Sequence, residues 1–197
     1  MPAKKWEHPE LGSFRCERDY GETRWIGTVE LPAFSVFRFR GTRPFRGTKR
    51  IELAFESFAD EEEMFVPSKV MARLALKIVT NQEKLAKKIK QAYFDELWGK
   101  GPKSGMWWHG DEEARQYCAD VLQKRVKRTT IASPDDFELL LGEPSIQITD
   151  DEESPKQFAR ISFGSAFEDE HGTEALTDGT KIVGIGYEGE ASLFRGS

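Results

Sequence analysis

Arg50-Ile51-Glu52-Leu53-Ala54-Phe55-Glu56-Ser57-Phe58, then the acidic run Asp60-Glu61-Glu62-Glu63, then Pro67-Ser68, is where the chain changes its period. Before the acidic run, Ile51, Leu53, Phe55 and Ser57 alternate with Arg50, Glu52, Ala54 and Glu56. A period of two with one wetter face is the pattern of a half-buried antiparallel strand. After Pro67-Ser68, Val70, Met71, Leu74, Ala75 and Ile78 recur at spacings of three and four, which predicts an amphipathic helix.

Toward the N-terminus the strand pattern continues. Arg24–Leu31 sets Trp25, Val29 and Leu31 against Arg24, Thr28 and Glu30. Ser35–Arg40 sets Phe37 and Phe39 against Arg38 and Arg40, and a shorter strand is expected around Phe14. Trp25, Val29, Leu31, Phe37, Phe39, Ile51, Leu53 and Phe55 are therefore expected to form one buried sheet face.

Toward the C-terminus the helices come first. A break is expected at Asn81. The next stripe is Leu85, Ile89, Ala92, Tyr93 and Leu97, with Lys84, Lys87, Lys88 and Lys90 on the wet face. Asp111 is placed to cap a third helix, with Glu112 and Glu113 favourable at the positive end of its dipole. Its apolar stripe reads Ala114, Tyr117, Cys118, Val121 and Leu122. A short helix near 134–141 follows, then strands at 145–149 and 158–163. The last pair reads as a hairpin from 173–177 through Asp178-Gly179 into 181–187. Strands, helices, then strands predict a single α+β domain over residues 1–197, an antiparallel sheet from both chain ends with a central layer of about three helices.

Composition narrows the function classes. The chain has 197 residues and a net charge of −5. Residues 1–65 carry a net −1, residues 66–130 +7 and residues 131–197 −11. An acidic face of this kind would steer a basic protein partner. No apolar run approaches the ~18 residues that a bilayer span needs, and no apolar segment follows Met1-Pro2-Ala3-Lys4-Lys5, so the expectation is a cytoplasmic chain away from membranes. Cys16 and Cys118 lie far apart and match no metal spacing.

Several motifs bear on chemistry. Gly184-Ile185-Gly186-Tyr187-Glu188-Gly189 matches G-x-G-x-x-G, but only eight residues follow it, so no helix can receive a pyrophosphate. The expectation is no cofactor. In Glu168-Asp169-Glu170-His171-Gly172 an extended backbone would let only Asp169 and His171 converge, too few for a closed metal site; the favoured reading is a turn whose His hydrogen-bonds a local carboxylate. The stretch 37–50 packs six basic residues and three Phe, the best nucleic-acid candidate; the acidic whole and the inward phase of the Phe residues argue against it. Trp107 and Trp108, in a Gly-rich loop, are either a plug on the core or an interface anchor. The candidate binding residues are Trp107, Trp108, Asp150, Asp151, Glu152, Glu153, Asp169 and His171, with no catalytic and no metal-ligating residue.

Two ends of the chain carry a resemblance. His8-Pro9-Glu10-Leu11-Gly12-Ser13-Phe14, Trp25-Ile26-Gly27 and Leu31-Pro32-Ala33-Phe34 are similar to the opening of a family of uncharacterised bacterial proteins, a domain of unknown function. Phe167-Glu168-Asp169-Glu170-His171-Gly172 through Ile185-Gly186, and the middle at Asn81-Gln82-Glu83, resemble the same family. Its members resemble small immunity-type proteins encoded beside toxins. The resemblance implies a non-enzymatic binding role, the alternatives being nucleic-acid association through 38–50 or a hydrolase or metal enzyme using Asp169 and His171.

Overall fold

The computed structural model describes residues 4–19, 22–40, 47–57, 65–150 and 156–194. Its strands are β1 (Lys5–His8), β2 (Gly12–Asp19), β3 (Glu22–Glu30), β4 (Arg50–Ser57), β5 (Ser145–Thr149), β6 (Ala159–Phe163), β7 (Thr173–Thr177) and β8 (Ile182–Gly186). Between β4 and β5 run helices α1 (Lys69–Thr80), α2 (Gln82–Leu97) and α3 (Glu112–Val126). Among the described residues the strands form one eight-stranded sheet whose spatial order follows the chain. The α+β reading with a central layer of three helices is borne out.

One pairing departs from the antiparallel expectation. β4 and β5 run parallel, while every other neighbouring pair is antiparallel. A parallel pair needs a long crossover, and the three helices supply it.

The register explains where the core sits. Gly27, Leu53, Ile146, Ile161, Ala175 and Ile185 stand in line across six strands. Five of them are apolar side chains, all buried. The helices cover this face: Tyr93 of α2 lies 6.2 Å from Phe163 between ring centroids and its hydroxyl is 3.0 Å from Thr173 Oγ1. The opposite face carries ion pairs. Arg24 pairs with Glu56, and Arg160 Nη1 lies 2.6 Å from the fully buried Glu174.

The helix boundaries follow their capping residues. The Ser68 side chain accepts from Met71 N, and Asp111 accepts from Ala114 N. Asn81 separates α1 from α2, as expected; its Nδ2 donates to Lys77 O and Gly179 O at 2.9 and 3.1 Å, bracing the break against the last hairpin.

Several expectations are corrected. The strand expected over 35–40 does not form among the described residues: Pro32–Val36 is a 3₁₀ helix, where proline at the first turn pre-sets the backbone, and Phe39 makes only an isolated bridge to Gly142. Phe37 is buried all the same, but Phe39 is only half-buried and lies under the Arg125 guanidinium. Val70 and Tyr117 were read as core and are exposed. Lys90 was read as wet and is buried, its Nζ 2.6 Å from Asp135 Oδ1 and 2.7 Å from Glu138 Oε1. The final hairpin has four residues, not two, between Thr177 and Ile182, because Asp178 Oδ1 accepts from the amides of Thr180 and Lys181 and widens the turn.

Candidate functional site

The site begins in the loop between α2 and α3. Gly99 and Gly110 both adopt positive φ, and a Cβ on either would sit 3.1–3.2 Å from the other's Cα. That close approach shuts the loop into a narrow neck. Buried Glu96 then pins it: Ser104 Oγ donates to Oε1, His109 Nδ1 lies 3.0 Å from Oε2, and Gly110 N donates to the Glu96 carbonyl at 2.9 Å. Between these pins stand the two tryptophans, with opposite fates. Trp108 is fully buried, edge-on to Phe167 and Tyr187. Trp107 is 41% exposed. The plug and the surface anchor are thus adjacent residues.

The segment before β7 meets Trp107. Residues 164–172 bend as the turn reading expects, not as an extended strand, and this brings residues three apart together. Glu168, not Asp169, is therefore the partner of His171, with Nδ1 at 3.3 Å from Oε1. This corrects the Asp169–His171 pairing. The same Oε1 accepts from the amides of His171 and Glu170 at 3.1 and 3.3 Å, and Oε2 accepts from Trp107 Nε1 at 3.1 Å. Ser165 Oγ fastens the turn by donating to the Glu168 carbonyl while accepting from its amide, both at 3.0 Å. Burial alone would push the Glu168 carboxyl up, but the hydrogen bonds from His171, Trp107 and Glu170 outweigh it and hold the group below the usual carboxylate range. A carboxylate so held stays ionised at neutral pH and makes a poor general acid.

The resulting recess has a volume of about 480 Å³. Trp107, Tyr117 and Tyr187 supply aromatic walls, and Glu113, Glu168, Asp169 and Glu170 supply carboxylates. None of the residues lining it is Lys or Arg. Tyr117 Oη donates to Glu113 Oε1 at 3.0 Å, and that bond, with the charges of Glu113 and Asp169, raises the phenol above its ordinary value. Glu113, Tyr117, Glu168 and Tyr187 were not singled out by the motif reading. The Glu113/Tyr117 spacing of four on a helix was the available signal for two of them.

The other candidates lie elsewhere. Asp150 sits at the end of β5, where its Oδ1 accepts from Gln157 Nε2 at 3.2 Å; it lines a different cleft from Asp169. Asp151, Glu152 and Glu153 lie outside the described residues. In the basic stretch, 41–46 also lie outside them, and Arg38 is 3.5 Å from Glu138. The G-x-G-x-x-G glycines serve packing. A Cβ on Gly184 would fall 2.1 Å from Ser192 O and one on Gly186 2.6 Å from Ala191 Cα, while Gly189 N donates to Glu174 Oε2 at 3.1 Å. Among the described residues no group of three or more His, Cys, Asp or Glu side chains could hold a metal ion, and no helix is long and apolar enough to cross a membrane.

The charge asymmetry along the chain is partly internal. Lys90 meets Asp135 and Glu138, and Arg128 meets Asp136, so the basic middle and acidic last third neutralise one another across one seam.

The N-terminal motifs behind the family resemblance have packing roles, while residues 167–171 of the C-terminal one line the recess. His8 Nδ1 accepts from the amides of Glu10 and Leu11, both at 3.3 Å, and Gly12 turns the chain at φ +89°. Gly27 is bare because a Cβ there would meet the Phe14 ring at 2.6 Å. No protein-family model, curated protein or solved structure matches the chain.

Proposed function

We propose that this chain is a non-enzymatic binding protein whose Trp107 recess receives a lysine or arginine side chain from a basic protein partner. The observation that carries the reading is the recess itself, with aromatic walls, four carboxylates and no lining Lys or Arg. A cation over an aromatic face gains ~0.5–1 kcal/mol when exposed and about 2 when desolvated. The Glu168 charge adds to this without reorganisation, since its hydrogen bonds are in place before any ligand arrives. An exposed tryptophan held rigidly by its own indole N–H is the kind of anchor that dominates interfaces. The resemblance to immunity-type proteins extends the reading to the partner's class, a basic toxin. That extension rests on sequence likeness alone; of the resembling segments, residues 167–171 line the recess and the N-terminal ones serve packing.

Affinity capture on the intact protein, compared with a Glu113→Lys/Asp169→Lys double variant, tests the reading. The expected result is a basic protein retained by the wild type and lost by the variant, with association slowing as salt shortens the Debye length from ~10 Å at 0.1 M to ~3 Å at 1 M. Recovery of nucleic acid, or retention of the partner by the folded variant, overturns it.

A further inference from the structure

A second cleft opens where α1 and α2 meet the β7–β8 hairpin and the last described residues, and it shares no lining residue with the Trp107 recess. Its volume is about 1170 Å³, above the ~300–1,000 Å³ usual for small-molecule sites. Leu74, Ala92, Ile182 and Val183 contribute apolar floor. Val70 and Leu193 are 51% and 49% exposed at its sides, the largest apolar exposures near it.

The charges around this cleft are unbalanced. Its carboxylates are already engaged: Asp95 Oδ1 accepts from Gln91 Nε2 at 2.8 Å, Asp178 Oδ1 from the amides of its own turn, and Glu96 from Ser104 behind the helix. Arg73 and Lys77 stand one turn apart on α1, both exposed, and neither forms an ion pair among the described residues. Like charges at this spacing disfavour a helix. Lys181, exposed on the facing hairpin beside Asp178, and Lys88, Lys100 and Lys156 bring the lining cations to six against three carboxylates. An anionic ligand bridging them would relieve the repulsion, and the exposed apolar side chains would gain burial at the same time.

We propose that this cleft docks an extended or helical segment of a partner protein in which apolar side chains are flanked by aspartate or glutamate. Its specificity is opposite in sign to that of the recess, so the two surfaces cannot compete for one ligand. Volume favours a chain segment over a small carboxylate, and the positive rim selects against basic segments.

Panning a peptide display library on the intact protein tests this. The expected consensus places Leu, Ile or Phe beside Asp or Glu. Selected peptides should weaken about tenfold or more on Arg73→Glu/Lys77→Glu, equivalent to ~1.4 kcal/mol, and about as much on Val70→Asp. They should be unaffected by Glu113→Lys/Asp169→Lys, which separates this surface from the recess. All substituted side chains are exposed, and circular dichroism verifies that the variants fold. A library that yields no binder sensitive to the Arg73/Lys77 reversal, or a consensus without acidic residues, overturns the proposal.

Discussion

Adjacent residues Trp107 and Trp108 carry opposite structural loads. Trp108 is fully buried against Phe167 and Tyr187, while the half-exposed Trp107 is held by an indole hydrogen bond to Glu168 and an edge-on contact with Trp108. Trp108→Ala should therefore cost about 3–5 kcal/mol in urea unfolding, the range for emptying a large core site. Trp107→Ala should cost about 1–2 kcal/mol, mainly the lost hydrogen bond to a charged acceptor. Similar losses for the two would mean that Trp107 is a core residue and the recess an accident of packing. The same scale explains the pairing error at residues 168–171. Strand geometry separates neighbouring side chains, but a turn folds residue i onto i+3, and only the backbone path decides between them.

At the scale of elements, α2 is tied to the 3₁₀ helix Pro134–Glu138 by the buried Lys90 cation and by Tyr93 stacked on Phe137. Burial would lower the Lys90 value, but hydrogen bonds and charge from Asp135 and Glu138 overcome it and raise it. Asp135 is largely in solvent, so its share of the stabilisation is screened. Lys90→Met keeps the aliphatic stem and removes the charge, leaving Glu138 half-buried with its other neighbour Arg38. The expected loss is about 1–2 kcal/mol, read as a lower urea midpoint with an unchanged slope. An unchanged midpoint would show that the ion contact contributes nothing net. A periodic reading assigned Lys90 to the wet face because it cannot anticipate a partner 45 residues away.

For the whole molecule, acid should be the destabilising direction. Asp135 is held below its ordinary value by hydrogen bonding and charge from Lys90. At Asp178, burial pushes the group up, but hydrogen bonds from Thr180 and Lys181 win and lower it; Glu168 is lowered in the same way. All three folded values lie below the unfolded ones, ~3.9 for Asp and ~4.3 for Glu. Between folded and unfolded values the unfolded chain binds more protons, so stability rises with pH. The contribution is fully present above about pH 5 and is lost as pH falls through the carboxylate range. Urea midpoints measured from about pH 7 to about pH 3 should fall steadily on the acid side. A midpoint independent of pH there would contradict the hydrogen-bonded state of these carboxylates.

Local chemistry determined most of the elements, the segment 32–40 excepted. Period two at Ile51, Leu53 and Phe55, the change of period after Pro67, and the Ser68 and Asp111 caps all act within a few residues, so one chain carries them legibly. The order of strands, helices and strands follows from the same signals. Tertiary structure decided the rest. β4 and β5 run parallel because three helices intervene and return the chain to the same end of the sheet. Val70 and Tyr117 share apolar spacing with core residues yet face solvent, because a stripe wider than its neighbour's contact leaves its margin uncovered. The recess unites Trp107 from one loop, Glu113 and Tyr117 from α3, Glu168 from a second loop and Tyr187 from beyond β8. Charge and hydrogen-bond complementarity between such distant segments depends on distances that no local period encodes, so the site exists only once the chain has folded.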